Sequence, residues 1–204
     1  LAGLPGRIRY VHDDLQPLQP LVRQAALEPH SGCSRGQGCA CAVGFDRFQL
    51  REGASLRPWR KRGAKAQAIG PSRGGQTTKI HVVTDLIGRP AILLLTAGNV
   101  ADVTMAGPLM DAAGRVRCLI ADKGYDANAL RRRLHAEGTD VVIPGRSNRK
   151  VSIDYDEVRY KGRWRIEAAF CRLKDFRRVA TRYDKLARNF LSAVALATLI
   201  AFWV

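Results

Sequence analysis

At 204 residues and 46% hydrophobic, the chain can close one domain around a core, which sets it apart from disordered, solvating segments. Lys and Arg number 34 against 18 Asp and Glu, a formal net charge of +16; this argues against a polycationic partner and for a polyanion, nucleic acid first, with free arginine use in a GC-rich genome as the plain alternative. Five cysteines, an odd number, follow no secretory leader, so a reducing, cytoplasmic location is expected.

Residues 1–62 hold no sustained helical or alternating period, because Pro17, Pro20, Pro29, Gly36, Gly44 and Pro58 are among the breaks that interrupt every run. His30, Cys33, Cys39 and Cys41 have the residue types of a zinc site but the spacing of no common finger. Order begins at Gly63. Residues 70–75 (GPSRGG) read as a loop, 77–85 (TTKIHVVTD) as a β-branched strand, 86–89 as a turn and 90–96 (PAILLLT) as the second strand of a hairpin. Next come a helix over 102–113, a short apolar strand over 116–121 closed by Asp122, a basic helix over 127–137 stopped by Gly138, and an apolar strand over 140–143 ended by Pro144. Residues 146–161 form a charged connection, and helices at about 162–177 and 185–203 complete the chain. The apolar stretch 190–204 falls short of the ~20 residues of a membrane span, so it reads as a buried terminal helix and no membrane is expected. Cys118, in an apolar run, and Cys171, in a helical pattern, read as buried thiols. Strands in series, then strands alternating with helices, indicate an α/β domain with a mixed sheet over 63–204.

Asp122 follows an apolar strand, on the side where α/β proteins place their sites, and Gly124 lets the backbone turn behind it. An Asp before a glycine is also an ordinary turn or cap residue. Tyr160, Arg163, Glu167 and Lys174 are spaced by three, four and seven residues, which on a helix puts them within a sector of roughly 60°. Ile166, Phe170 and Leu173 form the adjoining apolar stripe. A carboxylate among cations on such a face is also what an amphipathic helix with i,i+4 ion pairs presents.

These motifs resemble those of bacterial insertion-sequence transposases with an RNase H-like DDE domain. Tyr160, Arg163, Glu167 and Lys174 match the family's Tyr-2-Arg-3-Glu-6-Lys signature; residues 121–125 (ADKGY) resemble the block holding its second Asp; 79–85 (KIHVVTD) and the hairpin after it resemble the strands between its first and second Asp. The resemblance covers about residues 63–204. It implies a mixed RNase H-like sheet flanked by helices, and two-metal phosphoryl transfer at insertion-sequence ends, with three carboxylates holding two Mg²⁺ ions about 4 Å apart. Asp122 and Glu167 would then be catalytic metal ligands, with Tyr160, Arg163 and Lys174 on phosphates near the cleaved bond. Arg131, Arg132, Arg133, Arg146, Arg149 and Lys150 would add sequence-independent affinity for terminal-repeat and target DNA, a solvated helix face being the plain reading of 131–133. A homo-oligomer is a further expected partner.

One part of the family pattern is absent. Its first Asp sits in a block resembling I-D-S-x-x-V-K-x-H, due near residues 45–55, where the text of 44–56 is GFDRFQLREGASL, with neither that pattern nor a strand signal. Asp46 stands there without the block around it. Codons compatible with residues 45–54 read, one base later, as S-I-D-S-S-Y-V-K-A; codons compatible with 11–22 read as S-T-T-I-Y-N-R-F-N-R-W, which resembles the family's N-terminal helical region. Residues 1–62 are therefore read as poorly structured and out of frame, through programmed slippage or decay, with the change point at Lys61-Arg62-Gly63. The expected consequences are a first sheet strand missing or distorted, no stable two-metal binding, and no strand cleavage. The alternatives are a non-catalytic DNA-binding fragment and an RNase H-like nuclease outside transposition.

Overall fold

The computed structural model describes residues 9–10, 41–49, 67–73 and 75–204, with side chains from Gln67 onward. Strands β1 (Arg9–Tyr10), β2 (Cys41–Gln49), β3 (Gly70–Ser72), β4 (Gly75–Thr84), β5 (Pro90–Ala97), β6 (Cys118–Ala121) and β7 (Asp140–Val142) form one sheet in the order β1-β5-β4-β2-β6-β7, with β3 folded back on the start of β4. The helices are α1 (Ala106–Ala113), α2 (Asn128–Ala136), α3 (Glu157–Tyr160), α4 (Trp164–Lys174), α5 (Arg177–Ala180) and α6 (Ala187–Phe202). β4 runs antiparallel to β2 and β5, whereas β2, β6 and β7 run parallel to one another. Antiparallel strands in series, then parallel strands reached through helices, make this an RNase H-like α/β sheet flanked by helices.

The sheet is buried on both faces, which is why β4 reads as a nearly continuous apolar and β-branched run. On one face Val83, Leu94 and Leu119 pack with Leu109 and Met110 of α1, Leu134 of α2, and Tyr125. On the other, Ile80, Val82 and Leu93 pack with Ile166, Phe170 and Leu173 of α4 and with Phe190 and Val194 of α6. On that second face, toward the β7 edge, Tyr155 and Tyr160 cover Cys118, Ile120 and Val142. The β4–β5 hairpin turns at Gly88, whose φ of +89° suits glycine. The Asp85 carboxylate ties the turn by accepting Ile87 N–H at 3.0 Å, Arg89 N–H at 2.9 Å and Arg89 Nε at 2.8 Å. A Cβ at Gly88 would lie 3.2 Å from Arg165 Cβ, so the hairpin tip seats on α4.

Four expectations are corrected. Residues 44–49 are strand: β2 occupies the centre of the sheet, in register with β4 from Ala42 to Gln49 and with β6 from Cys41 to Val43. The expected missing or distorted first strand is thus replaced by a paired one, because ladders along both edges impose extended backbone on a segment of weak intrinsic preference. Residues 70–72 pair with β4 instead of looping. Cys171 is exposed while Cys118 is buried, since Cys171 shares the outer face of α4 with Glu167. The terminal helix buries one face only; Leu196, Leu199 and Ile200 are 59%, 40% and 51% exposed. Among the described residues no helix is long and apolar enough to cross a membrane. The change point at residues 61–63 lies outside the described residues, as do His30, Cys33, Cys39 and, β1 and β2 apart, the rest of the segment 1–62.

Candidate functional site

Asp122 continues the extended path of β6 (φ −70°, ψ 158°) and caps the 3-10 turn Lys123–Tyr125, its carboxylate accepting Lys123 N–H at 2.7 Å. By strand alternation Asp122 follows Cys118 and Ile120 onto the sheet face that carries α3 and α4. Behind the turn, Tyr125 is buried, its hydroxyl 3.2 Å from Nδ1 of His81, whose Nε2 lies 2.8 Å from Thr96 Oγ1. Burial, with the nearby Lys79 charge, pushes His81 down to about 3. His81 is therefore neutral in the folded chain, while the unfolded chain protonates it near 6.5. Stability should fall by about 1.4 kcal/mol per pH unit as pH drops below that value toward 3. Thermal melts of the parent chain and His81→Gln between pH 7 and pH 4.5 test this: the variant should lose that slope, and parallel profiles would refute it.

Asp126 is the hub beneath the turn. Its carboxylate is fully buried and accepts Arg131 Nε at 2.8 Å, Arg149 Nε and Nη2 at 2.5 and 2.7 Å, and Arg146 N–H at 2.9 Å. Burial alone would raise its pKa; the bonds from Arg149, Arg146 and Arg131 outweigh that and hold it well below the usual carboxylate range. Arg131 also donates to Ile143 O at 2.6 Å, and the Arg146 guanidinium to Lys123 O and Gly124 O at 3.2 and 2.8 Å. The β7–α3 connection thereby grips the backbone that carries Asp122.

Tyr160, Arg163, Glu167 and Lys174 lie along the α3–α4 segment, joined by a 3-10 turn at Lys161–Arg163. Ile166, Phe170 and Leu173 are buried and the Glu167 side chain is 57% exposed, so the helix separates core stripe from polar face as its spacing indicates. Arg163 donates to Glu167 one turn on, and its guanidinium lies 5.9 Å from the Tyr160 ring. Tyr160 packs against Ile120, two residues before Asp122, with Tyr155 edge-on at 5.3 Å. Burial raises the Tyr160 phenol; Arg163 opposes the rise, while the charges of Asp122, Tyr155 and Glu167 add to it. Tyr160 thus lies over the strand that Asp122 closes, and Arg163 links its ring to Glu167.

With this geometry goes a match of residues 45–202 to the family described as Transposase DDE domain. The chain belongs to that transposase family. The match reaches upstream of Gly63, into β2. A protein of Brucella ovis described as transposase for insertion sequence element IS6501 is 38% identical over 125 residues, spanning 59% of this chain and 94% of that protein. A protein of Burkholderia cepacia described as transposase for insertion sequence element IS402 is 32% identical over 137 residues, spanning 62% of this chain and 63% of that protein. A cryo-EM structure of a piggyBac transposase synaptic complex with hairpin DNA overlaps 60% of this chain and 25% of its own at 14% identity and a TM-score of 0.39, a likeness that carries no weight.

The transposase family uses divalent metal. Among the described residues no three His, Cys, Asp or Glu side chains are grouped to bind an ion. Asp46 stands outside the expected block, yet its backbone pairs with Ile80 in the β2–β4 ladder. Pairing with Ile80 is a long-range property that periodicity within 44–56 does not reveal.

The expected DNA contacts divide in this transposase domain. Arg131 and Arg149 serve Asp126, and Arg133 bridges Asp111 at 2.5 Å and Glu137 at 2.8 Å, so these three are engaged within the fold. Arg131, only 9% exposed, is corrected from a DNA contact to a structural residue. Arg132 and Lys150 are exposed, and Arg146, also exposed, is bonded to the Asp122 turn.

Proposed function

We propose that this chain is the catalytic domain of an insertion-sequence DDE transposase in a catalytically incomplete form that binds DNA at the face shared by Asp122 and Glu167. The observation that carries the reading is an arrangement: a carboxylate ends β6, a second stands on the polar face of α4, and Tyr160 packs on the β6 side while Arg163, beside its ring, donates to Glu167. In the intact family reaction these residues would hold Mg²⁺, with Tyr160, Arg163 and Lys174 toward phosphate. Exposed Arg132 and Lys150 supply backbone affinity, so binding weakens steeply with salt. Incompleteness rests on the missing first-Asp block. The frame-change account stands if the +1 frame upstream of the Gly63 codon encodes that block, and falls if it does not.

A second reading is favoured by β2, in which Asp46 pairs with Ile80 near the centre of the sheet. On that reading Asp46 supplies the third carboxylate and the chain cleaves DNA. One experiment decides: a labelled terminal-repeat duplex is incubated with Mg²⁺ or Mn²⁺ and the parent chain, Asp46→Asn, Asp122→Asn or Glu167→Gln. The incomplete reading expects salt-sensitive binding by all four and cleavage by none. Cleavage by the parent chain that Asp46→Asn abolishes would establish the second reading. Cleavage indifferent to Asp122 and Glu167 would sink both.

A further inference from the structure

Three polar side chains are bonded in series inside an otherwise apolar layer. His81, Tyr125 and Thr96 are all buried, and Tyr125 belongs to the core cluster of Val83, Leu94, Leu119 and Leu134. The His81 ring spans the other two, with Nδ1 3.2 Å from the Tyr125 hydroxyl and Nε2 2.8 Å from Thr96 Oγ1. A neutral imidazole has one N–H and one lone pair, so either tautomer donates to one hydroxyl and accepts from the other. Buried polar groups must be paired, and apolar residues of the same shape would fill this space without that demand. Packing alone therefore does not account for the three in line.

What the series reaches is the turn that carries Asp122. Tyr125 closes the 3-10 turn Lys123–Tyr125. Its N–H donates to Asp122 O at 2.9 Å, Asp126 N–H donates to Lys123 O at 3.2 Å, and Lys123 N–H donates to the Asp122 carboxylate at 2.7 Å. Asp126 and Arg146 tie this backbone to the β7–α3 connection. The tyrosine ties it to the sheet, because His81 stands on β4 and Thr96 on β5. By alternation His81 shares the sheet face of Val83, opposite the face that Asp122 joins. A carboxylate at a strand end is only as well placed as its turn, and a shift of about 1 Å at a reacting centre is costly, so supports bonded to rigid elements matter.

We propose that His81 and Thr96 are positioning residues for Asp122, acting through the Tyr125 hydroxyl, so that the sheet sets where this carboxylate stands. The proposal rests on the reading of Asp122 as a site residue.

Amide hydrogen exchange followed by NMR on the full chain tests it, with Tyr125→Phe, Thr96→Val and Thr96→Ser. The reporters are the N–H groups of Lys123, Tyr125 and Asp126; the references are those of Val194 and Ala197 in α6. Tyr125→Phe keeps the ring and removes the hydroxyl. It should speed exchange at the reporters by about 5- to 10-fold beyond any change at the references, the worth of one hydrogen bond. Thr96→Val, two hydrogen bonds from the turn, should speed the same reporters by about 2- to 5-fold. Thr96→Ser keeps a hydroxyl there and should exchange like the parent chain. Reporters at parental rates in Tyr125→Phe or Thr96→Val would overturn the proposal. So would equal acceleration of reporters and references, which would make the series a stability element alone, and so would Thr96→Ser behaving as Thr96→Val. A terminal-repeat duplex titrated into the parent chain checks the underlying reading separately: the Asp122 and Lys123 amide signals should shift. No shift there, with the exchange pattern as expected, would sink the site reading and leave the series without a role in the reaction.

Discussion

Replacing Arg182 with methionine should lower the free energy of unfolding by about 3–5 kcal/mol, measured as a shift in the urea midpoint followed by circular dichroism. Arg182 has no exposed surface. Its Nε donates to Asp184 O at 2.8 Å, Nη2 to Gln67 O and Lys185 O at 2.6 and 3.1 Å, and Nη1 to Ala68 O at 3.3 Å and to the Thr78 hydroxyl. The guanidinium lies 4.8 Å from the Phe190 ring centroid. One planar fork therefore joins the α5–α6 connection to the segment entering β3 and to the middle of β4. Burial pulls its pKa down and the Asp184 charge opposes this; an arginine stays protonated at neutral pH all the same. Methionine keeps most of the volume but withdraws the fork's bonds to Gln67 O, Asp184 O and Lys185 O, each loss worth about 1–3 kcal/mol before relaxation, while Ala68 O keeps the Thr78 hydroxyl. Arg182→Lys should fall between the two, since an ammonium cannot span the same acceptors. A loss under about 1 kcal/mol for the methionine variant would show that water replaces the fork at little expense.

Asp126→Asn should destabilise the chain by about 3 kcal/mol at pH 7, because it strips two guanidiniums of their shared counter-ion. The partly exposed Arg149 side chain, at 22%, keeps the figure at the low end of what a broken buried pair costs. The pH dependence has a definite sign. In the folded chain the carboxyl is held far below its ordinary value, whereas the unfolded chain takes up the proton near 3.9. The contribution is therefore full above about pH 4 and fades below it. Urea midpoints at pH 7 and pH 3 should show the parent chain and Asp126→Asn well separated at the first and closer together at the second. A gap that stays constant, or widens in acid, would mean that Asp126 is not the titrating anchor. His81 loses its contribution over a higher interval, between 6.5 and 3, so the two acid-sensitive groups can be separated in one titration.

Local pattern was enough for the β4–β5 hairpin, the strand closed by Asp122, and the division of α4 into an apolar stripe and a polar face. Each depends on residues within a turn or a pleat of one another, so period alone reports them. What pattern could not reach lies in contacts between distant parts of the chain. Arg131 and Arg149 look alike as basic residues near a polyanion site, yet both close on Asp126, one of them 23 positions away. Nothing in an arginine's neighbours announces a carboxylate across the fold. Gly44 and the surrounding polar residues argued against strand, and pairing along both edges overrode them. Cys171 sits in a helical pattern, but its angle on α4, beside Glu167, decides its exposure. Asp46 has no recognisable sequence neighbours; its interest comes from lying in register with Ile80.

The seam position of β2 has a consequence for any product of this gene that begins downstream of it. Take that ribbon out and β4 and β6 no longer share a neighbour, so the sheet parts into two pieces, each with a bare row of N–H and C=O groups along its inner margin. Such rows recruit strands from other molecules. A shortened polypeptide with Asp122 and Glu167 intact would then be prone to edge-to-edge association, and the nine extended residues of β2, whatever frame encodes them, are what cover both margins.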